Sequence, residues 1–210
     1  MKTMIATLAT VAGSAAGQVT LYSADFSQIV SIDHTTTGNA LESSPQNGAN
    51  FTLSYPSTPA SDTTRNFFET TGNSLISSDF GGAHRFESFD IDVSNFNSVD
   101  VDFLADFVGT ASFNNSPTEF FQYFFTLDNG ADQELFFFTD DPNGPNLNFN
   151  GSIDVSGAST LTIGINANAN GAGDGFELTS AIVSGTPIPA PGVAAIAGVA
   201  GLAAARRRRA

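Results

Sequence analysis

The sequence contains no cysteine and no tryptophan, and only seven of its 210 residues are lysine or arginine. Without cysteine, the chain cannot form disulfides, thiolate metal sites or a cysteine nucleophile. Five of the seven cations lie in the two end segments, so residues 18–186 carry only Arg65 and Arg85 against 21 acidic residues, a formal charge of −19. That charge repels nucleic acid and anionic membranes, which excludes both as partners of this segment.

Recognisable catalytic motifs are absent as well. His34 and His84 are the only histidines, and the chain has neither an H-E-x-x-H zinc motif nor a G-x-S-x-G nucleophile motif. We expect His84 to lie on the surface. Asp100 and Asp102 stand about 7 Å apart on one strand face, but neighbours of this kind ordinarily keep an outer face hydrated. The sequence therefore predicts a protein that is not an enzyme.

The pattern that is present is a series of short alternating runs without a helical period. The strongest of them places one set of apolar residues opposite one set of carboxylates: Val99, Val101, Phe103, Ala105 and Phe107 against Asp100, Asp102 and Asp106. Such alternation predicts a half-buried strand with an acidic outer surface. Phe89, Ile91 and Val93 alternate in the same way before it, and residues 176–182 form the last strand. Turn residues about every 8 to 15 positions predict one all-β domain, an antiparallel β-sandwich or jelly roll.

Phenylalanine is abundant, with 20 residues, many of them consecutive. Consecutive residues of a strand point to opposite faces, so both faces of these strands should be covered and the clusters should form the core of a two-sheet sandwich. An exposed cluster would instead mark a partner-binding patch. Asp128, Asn129 and Gly130 predict a tight hairpin turn between two of the aromatic runs.

The two ends of the sequence predict export. Residues 1–17 begin with a cation at Lys2, continue with an apolar stretch and end in small residues, as a secretory signal peptide does, with cleavage after Ala16 or Gly17. At the other end, three prolines precede 14 uncharged residues at 192–205 and then four arginines. A helix of that length spans about 21 Å, less than a bilayer core of about 30 Å, which suits transient retention better than lasting anchorage.

This C-terminal layout resembles the PEP-CTERM sorting signal of Gram-negative bacteria, in the Pro-Ala-Pro-Gly form typical of planctomycete-type proteins. The residues that carry the resemblance are Pro189, Ala190, Pro191 and Gly192, followed by the cluster of Arg206, Arg207, Arg208 and Arg209. Ala190 stands where the motif that names the family has glutamate. The resemblance implies that residues 187–210 are a sorting segment, retained briefly in the inner membrane and processed by an exosortase-like membrane protease. The product would then reach the cell surface or the extracellular matrix.

The strand patterns at residues 88–105 and 174–185 resemble secreted bacterial jelly rolls of the galactose-binding or carbohydrate-module type. In those domains a structural calcium ion sits where the first strand meets the last. The resemblance implies that Asp25, Asp174 and Glu177 are the calcium ligands here, since Ca²⁺ takes six to eight oxygen ligands. The alternative is an ordinary turn at Asp174 and a surface carboxylate at Asp25. A second acidic group, Asp140 and Asp141 with Asn143 and Asn146, is predicted to be a solvated turn in preference to a cation site.

Taken together, the sequence predicts an exported cell-surface or matrix protein of structural or adhesive type, with a β-sandwich at residues 18–186. The alternative is a carbohydrate-binding module, stabilised by calcium, whose partner is an extracellular polysaccharide.

Overall fold

The computed structural model describes residues 17–27, 31–33, 50–54, 67–70, 72–78, 84–108, 120–138, 147–168 and 175–189. Within these ranges the chain forms strands and no helix, and no helix there is long and apolar enough to cross a membrane. Residues 1–16 of the predicted signal peptide, the apolar helix at 192–205 and the arginine cluster lie outside the described residues.

The described residues form thirteen strands: β1 (Val19–Ser23), β2 (Ser31–Asp33), β3 (Phe51–Ser54), β4 (Phe67–Thr70), β5 (Leu75–Ser78), β6 (His84–Ser88), β7 (Ile91–Asp92), β8 (Ser98–Val108), β9 (Phe120–Leu127), β10 (Gln133–Phe138), β11 (Phe149–Asp154), β12 (Thr160–Asn168) and β13 (Gly175–Gly185).

These strands make two sheets. The first sheet has the order β11-β8-β13-β5-β4-β2, with β1 also paired to β13, and the second has the order β10-β9-β12-β6-β3, with β7 also paired to β12. Every pairing is antiparallel. Side chains from both sheets share one apolar core. The predicted antiparallel β-sandwich is therefore confirmed, and its first strand does pair with its last.

The alternation in β8 is realised as predicted. Val99, Val101, Phe103 and Ala105 are buried in the core, whereas Asp100 and Asp106 are exposed on the outer face of the first sheet. Because the side-chain period of a strand is two residues, this pattern fixes which face of β8 meets the second sheet.

The hairpin between β9 and β10 also forms, but its turn lies one residue earlier than an Asn-Gly turn would. Asp128 and Asn129 both adopt positive φ, at 50° and 57°, and the Gly130 N–H donates to the Leu127 carbonyl at 2.9 Å. Asp and Asn tolerate this left-handed region better than other residues with a side chain. The Asp128 side chain also accepts hydrogen bonds from the N–H groups of Ser159 and Thr160, at 2.8 and 3.0 Å. It thereby ties the hairpin to the start of β12.

Two predictions about individual residues were wrong. His84 is only 3% exposed, because β6 alternates with His84, Phe86 and Ser88 pointing inward, and the His84 ring lies 3.5 Å from the Ser77 hydroxyl of the first sheet. Phe89 is 41% exposed and not in the core. The chain leaves the strand pattern between β6 and β7, so Phe89 and Asp90 are both exposed before burial resumes at Ile91.

The two sheets meet through an aromatic stack. Tyr123 of β9 lies parallel to Phe103 of β8, with ring centroids 4.2 Å apart, and its hydroxyl donates a hydrogen bond of 2.7 Å to the buried Leu147 carbonyl. Tyr22, also buried, has no hydrogen-bond partner for its hydroxyl among the described residues. Burial raises the pKa of both phenols. The described part of the core thus contains one tyrosine hydroxyl with a hydrogen-bond partner and one without.

This pair gives a matched test of the core. Tyr123→Phe removes the hydrogen bond and leaves the Leu147 carbonyl buried without a donor, so we expect it to lower the free energy of unfolding by about 1–3 kcal/mol. Tyr22→Phe removes a buried hydroxyl that lacks a partner, and we expect it to be neutral or slightly stabilising. Urea denaturation of both variants measures the difference. Equal losses in the two variants would contradict the assignment of the hydrogen bond.

Candidate functional site

The structure separates two of the predicted calcium ligands. Asp25 follows β1 and accepts a hydrogen bond of 2.9 Å from the Ser27 N–H, and hydrogen bonds from Ser27 lower its pKa. Glu177 accepts a hydrogen bond of 2.6 Å from the Ser74 hydroxyl. Ala24, which precedes Asp25, donates its backbone N–H to the Ala181 carbonyl. Ala181 is four residues from Glu177 along β13, so the Cα atoms of Ala181 and Glu177 lie about 13 Å apart.

Asp174, the third predicted ligand, lies outside the described residues, and so does the group of Asp140, Asp141, Asn143 and Asn146. In the part of the chain that the structure describes, no three His, Asp or Glu side chains form a group that could hold a metal ion. The calcium site therefore stays a prediction.

Asp100 and Asp102 lie on the outer face of the first sheet, as predicted. Asp100 accepts a hydrogen bond of 2.9 Å from the Gln18 side chain, which also donates to the Ser184 hydroxyl. Asp102 pairs with Ile182 of β13, and Asp106 pairs with Glu177. These carboxylates give the first sheet an acidic outer surface.

The outer face of the second sheet is different, because it combines aromatic, amide, cationic and acidic side chains. We call it the second-sheet face, and define it by the outward residues of β6, β9, β10 and β12 with the adjoining Asp132, Phe89 and Asp90. The strand register aligns these residues in two neighbouring rows across the sheet: Phe137, Gln122, Asn166 and Arg85 in one row, and Glu134, Phe124, Gly164 and Glu87 in the other.

Arg85 is the central cation of this face. Its side chain forms two-pronged hydrogen bonds to two carboxylates, with Glu87 at 3.0 and 3.1 Å and with Asp132 at 2.6 and 3.1 Å. A further N–H group donates to the Asn166 amide oxygen at 3.4 Å. A guanidinium carries five N–H donors, so all five are engaged within the protein.

The guanidinium also covers an aromatic ring on the outside of the sheet. It lies 3.8 Å from the centroid of Phe124, which is fully buried although its side chain points away from the core. Phe124 leans across Gly164 of the neighbouring strand, where a Cβ atom would clash with the ring and with the Phe86 carbonyl. Glycine at 164 therefore leaves the space in which Phe124 lies, and Arg85 shields that ring from water.

The ion pairs shift the pKa values of their members. Burial lowers the pKa of Arg85, but hydrogen bonds and charge from Asp132 and Glu87 outweigh that effect and raise it overall. The hydrogen bond from Arg85 in turn lowers the pKa of Asp132. Both groups are therefore charged at neutral pH, and Arg85 stays paired.

Exposed aromatic rings flank this polar centre on two sides. Phe137 is 46% exposed and stacks on Phe120, with ring centroids 5.9 Å apart and an interplanar angle of 19°. Phe89 is exposed at the opposite side of the face. Between them, the Asn166 amide donates to the Gln122 amide oxygen at 3.4 Å, and Gln122 donates to Glu134 at 3.3 Å. The amides are therefore held in place by their neighbours.

An open pocket of about 470 Å³ lies beside Phe89. Its lining residues are Glu87, Ser88, Phe89, Asp90, Asn129 and Thr162. The Thr162 hydroxyl donates to the Asp90 carboxylate at 3.3 Å, and the backbone N–H of Ile163 donates to the Ser88 hydroxyl at 3.1 Å. The pocket has the size of a ligand site, about 300–1,000 Å³, with one aromatic wall and several polar groups.

The pairing of Asp132 with Arg85 predicts how the fold responds to acid. Because the folded-state pKa of Asp132 is lowered, its carboxylate stabilises the fold fully above the unfolded value of about 3.9, and this stabilisation is lost as the pH falls through the lower folded-state value. We expect the melting temperature of the wild type to fall more between about pH 5 and pH 2.5 than that of Asp132→Asn, because the variant lacks this titration.

Arg85→Met serves as the control, since it removes the group that lowers the pKa of Asp132. This variant should also show the shallower pH dependence. If the melting temperature of Asp132→Asn fell with pH in parallel with that of the wild type, the result would contradict the ion pair.

Comparisons with known proteins give similarity of structure only. The chain matches no protein-family model and no curated protein sequence. Similar solved structures include xylanase 10C of Cellvibrio japonicus, with 12% identity, a TM-score of 0.41 and coverage of 74% of this chain but 28% of that one. They also include the CBM22-1 xylan-binding domain of Paenibacillus barcinonensis Xyn10C, with 13% identity, a TM-score of 0.36 and coverage of 85% and 100%.

A third similar structure is the K3 cleaved adhesin domain of Lys-gingipain from Porphyromonas gingivalis, with 11% identity, a TM-score of 0.36 and coverage of 80% and 99%. The solved structures similar to this chain thus include a carbohydrate-binding module and an adhesin domain. All three TM-scores are below 0.5, so the function proposed for this chain rests on its own residues.

Proposed function

We propose that the β-sandwich is a non-catalytic adhesive domain that binds a polysaccharide across its second-sheet face. The observation that carries this proposal is the arrangement of exposed rings on two sides of that face, with ordered amides and carboxylates between them. Phe89 and Phe137 are 41% and 46% exposed, on opposite sides of Gln122, Asn166 and Arg85.

This arrangement matches the chemistry of a sugar. The C–H groups of a sugar ring are weakly positive and pack against the negative face of an aromatic ring. The hydroxyl groups on its edge both donate and accept hydrogen bonds, which amide and carboxylate side chains complement. Phe89 and Phe137 lie three strand spacings and about four residues apart, or roughly 20 Å. That separation fits a chain of linked sugars better than a single one.

The face is also ordered before any ligand arrives. Gln122 is fixed by Asn166 and Glu134, and Arg85 is fixed by two carboxylates. Gln122, Asn166 and Arg85 lie on β9, β12 and β6, which are interior strands of the second sheet. Groups that are fixed in advance lose little conformational entropy on binding. The outer face of the first sheet differs, because the exposed large apolar side chain on its described part is an aliphatic one, Leu104.

The proposed setting of this domain is outside the cytoplasm. Residues 1–17 resemble a signal peptide, and residues 187–210 resemble a sorting segment for an exosortase-like protease of the inner membrane. An acidic, cysteine-free domain suits a cell surface or extracellular matrix, where a charge of −19 keeps the protein soluble. The start of residues 187–210 contacts the sandwich, since the Ile188 N–H donates to the Asn95 carbonyl at 2.8 Å.

Substitution of the exposed rings tests the binding proposal. In affinity electrophoresis through gels that contain neutral plant, bacterial or amine-bearing polysaccharides, the wild-type protein should be retarded by at least one of them. We expect Phe89→Ala and Phe137→Ala each to weaken that binding about tenfold, which corresponds to about 1.4 kcal/mol.

Leu104→Ala is the matched control, because Leu104 is 42% exposed on the opposite sheet. It should leave retardation unchanged. Binding that is lost in Leu104→Ala and kept in both phenylalanine variants would place the contact on the first sheet and contradict the proposal. The absence of retardation in every gel would also contradict it.

Deletion of Arg206–Arg209 tests the sorting proposal in a bacterium that has an exosortase. We expect the full-length chain to lose its C-terminal segment, as intact mass measures, and to appear at the surface or in the medium. The deletion variant should keep its C-terminal segment or leave the cell without surface attachment, because the arginines hold the segment on the cytoplasmic side. Identical mass and location for both chains would contradict a sorting role.

A further inference from the structure

The pocket beside Phe89 lies at one end of the second-sheet face, close to the β9–β10 turn. Three of its walls differ in chemistry: the Phe89 ring, the Asp90 and Glu87 carboxylates, and the polar groups of Asn129 and Thr162. Its volume of about 470 Å³ falls within the range of ligand pockets, about 300–1,000 Å³. If the face binds a polysaccharide, one sugar unit would lie in this open pocket.

The charges of the face argue against an acidic ligand. Among the described residues, Arg85 is the only cation on this face. Its five N–H donors are engaged by Glu87, Asp132 and Asn166. Binding a uronate or sulfate group would require one of these charge-assisted hydrogen bonds to break. The face therefore offers an anion no free cationic donor.

The same groups leave an excess of acceptors. Glu87, Asp90, Asp132 and Glu134 are four carboxylates against one guanidinium, and Glu87 and Asp132 are the two that Arg85 pairs. Asp90 accepts a hydrogen bond from the neutral Thr162 hydroxyl and makes no ion pair with any described residue. Its negative charge therefore faces the pocket with no compensating cation among the described residues.

Phe89 adds a second attraction for positive charge at the same place. Its exposed ring adjoins Asp90 and forms one wall of the pocket. A cation is attracted electrostatically by the face of an aromatic ring, and an ammonium also donates strong hydrogen bonds to a carboxylate. A ring and a carboxylate on one pocket thus favour an ammonium group over a neutral amide or a carboxylate.

We propose that the Phe89 pocket binds an amino sugar, so that the polysaccharide ligand carries free, protonated amines. This inference rests on the proposed polysaccharide-binding function and names the class of sugar. Asp90 accepts hydrogen bonds from the ammonium group, Phe89 packs against the sugar ring, and Thr162 holds the Asp90 carboxylate in position. Arg85 stays paired and takes no direct part in binding.

Isothermal titration of the full-length chain with three tetrasaccharides tests the inference. The probes are a β-1,4-linked glucosamine tetramer, its fully N-acetylated counterpart and a tetragalacturonate, each at about pH 6, where an amine is protonated. We expect the glucosamine tetramer to bind at least tenfold more tightly than the acetylated tetramer, and the uronate to bind least. Added salt should weaken the first interaction, because it depends on charge.

Asp90→Asn should lower the affinity for the glucosamine tetramer at least tenfold and the affinity for the acetylated tetramer much less, which abolishes the preference for the amine. Asp102→Asn is the matched control: it removes the same charge from the first sheet, and it should keep the preference. This pair separates a local contact from the general attraction of an acidic protein for a cationic ligand.

The possible failures can be told apart. Equal affinity for the amine and acetylated tetramers, with binding that Phe137→Ala still weakens, would overturn the amino-sugar inference and leave the polysaccharide function standing. Tightest binding of the uronate, or an equal loss in Asp90→Asn and Asp102→Asn, would also overturn it. No binding of any of the three tetrasaccharides, with retardation in another polysaccharide gel that Phe137→Ala weakens, would overturn the inference alone. No binding in either experiment would contradict the proposed function as well.

Discussion

The second-sheet face depends on one interaction, the packing of Arg85 over Phe124. The guanidinium lies 3.8 Å from the ring centroid and is held from its edges by Glu87 and Asp132. Without it, a phenylalanine on the outside of the sheet would be exposed to water and two carboxylates would lose their cation. Gly164 is part of the same arrangement, because only a residue without a side chain leaves room for the ring.

This interaction also sets the chemical character of the face. Arg85 is the one cation among the described residues, and all five of its N–H donors are engaged within the protein. The groups that remain available to a ligand are therefore amides, carboxylates and the rings of Phe89 and Phe137. The interaction links three strands, since Arg85 lies on β6, Asp132 precedes β10 and Phe124 lies on β9. A face that is fixed across several strands can present these groups at constant spacing. The outer face of the first sheet is also negatively charged, but its described side chains include no exposed aromatic ring.

Much of the fold follows from the sequence, because it depends on local periodicity. The alternation in β8 correctly separates Val99, Val101 and Phe103 from Asp100, and Asp128 and Asn129 mark a real turn. Prediction from periodicity fails where the chain leaves the regular pairing of the strands. Phe89 lies in such a break between β6 and β7, so its expected burial was wrong. In β13 a register shift between Leu178 and Ser180 changes which residues point inward.

The site was harder to predict for a different reason. The alternation of β6 itself could have placed His84 inside and Arg85 outside, but the charged neighbour Arg85 and a position at the start of a strand suggested a surface position for His84. The partners of Arg85 are distant in sequence: Asp132 is 47 residues away and Asn166 is 81. Only the pairing of β12 with both β6 and β9 brings them together, and that pairing is a property of the whole sheet.

The proposed function requires that the outer face of the second sheet, and not that of the first, binds the ligand. Backbone amide chemical shifts of the isotope-labelled protein, recorded during titration with a bound oligosaccharide, test it most directly. We expect the changes to cluster at Phe89, Asp90, Gln122, Asn166 and Phe137. Changes that cluster instead on the outward residues of β8 and β13, such as Asp102, Leu104 and Ile182, would contradict it.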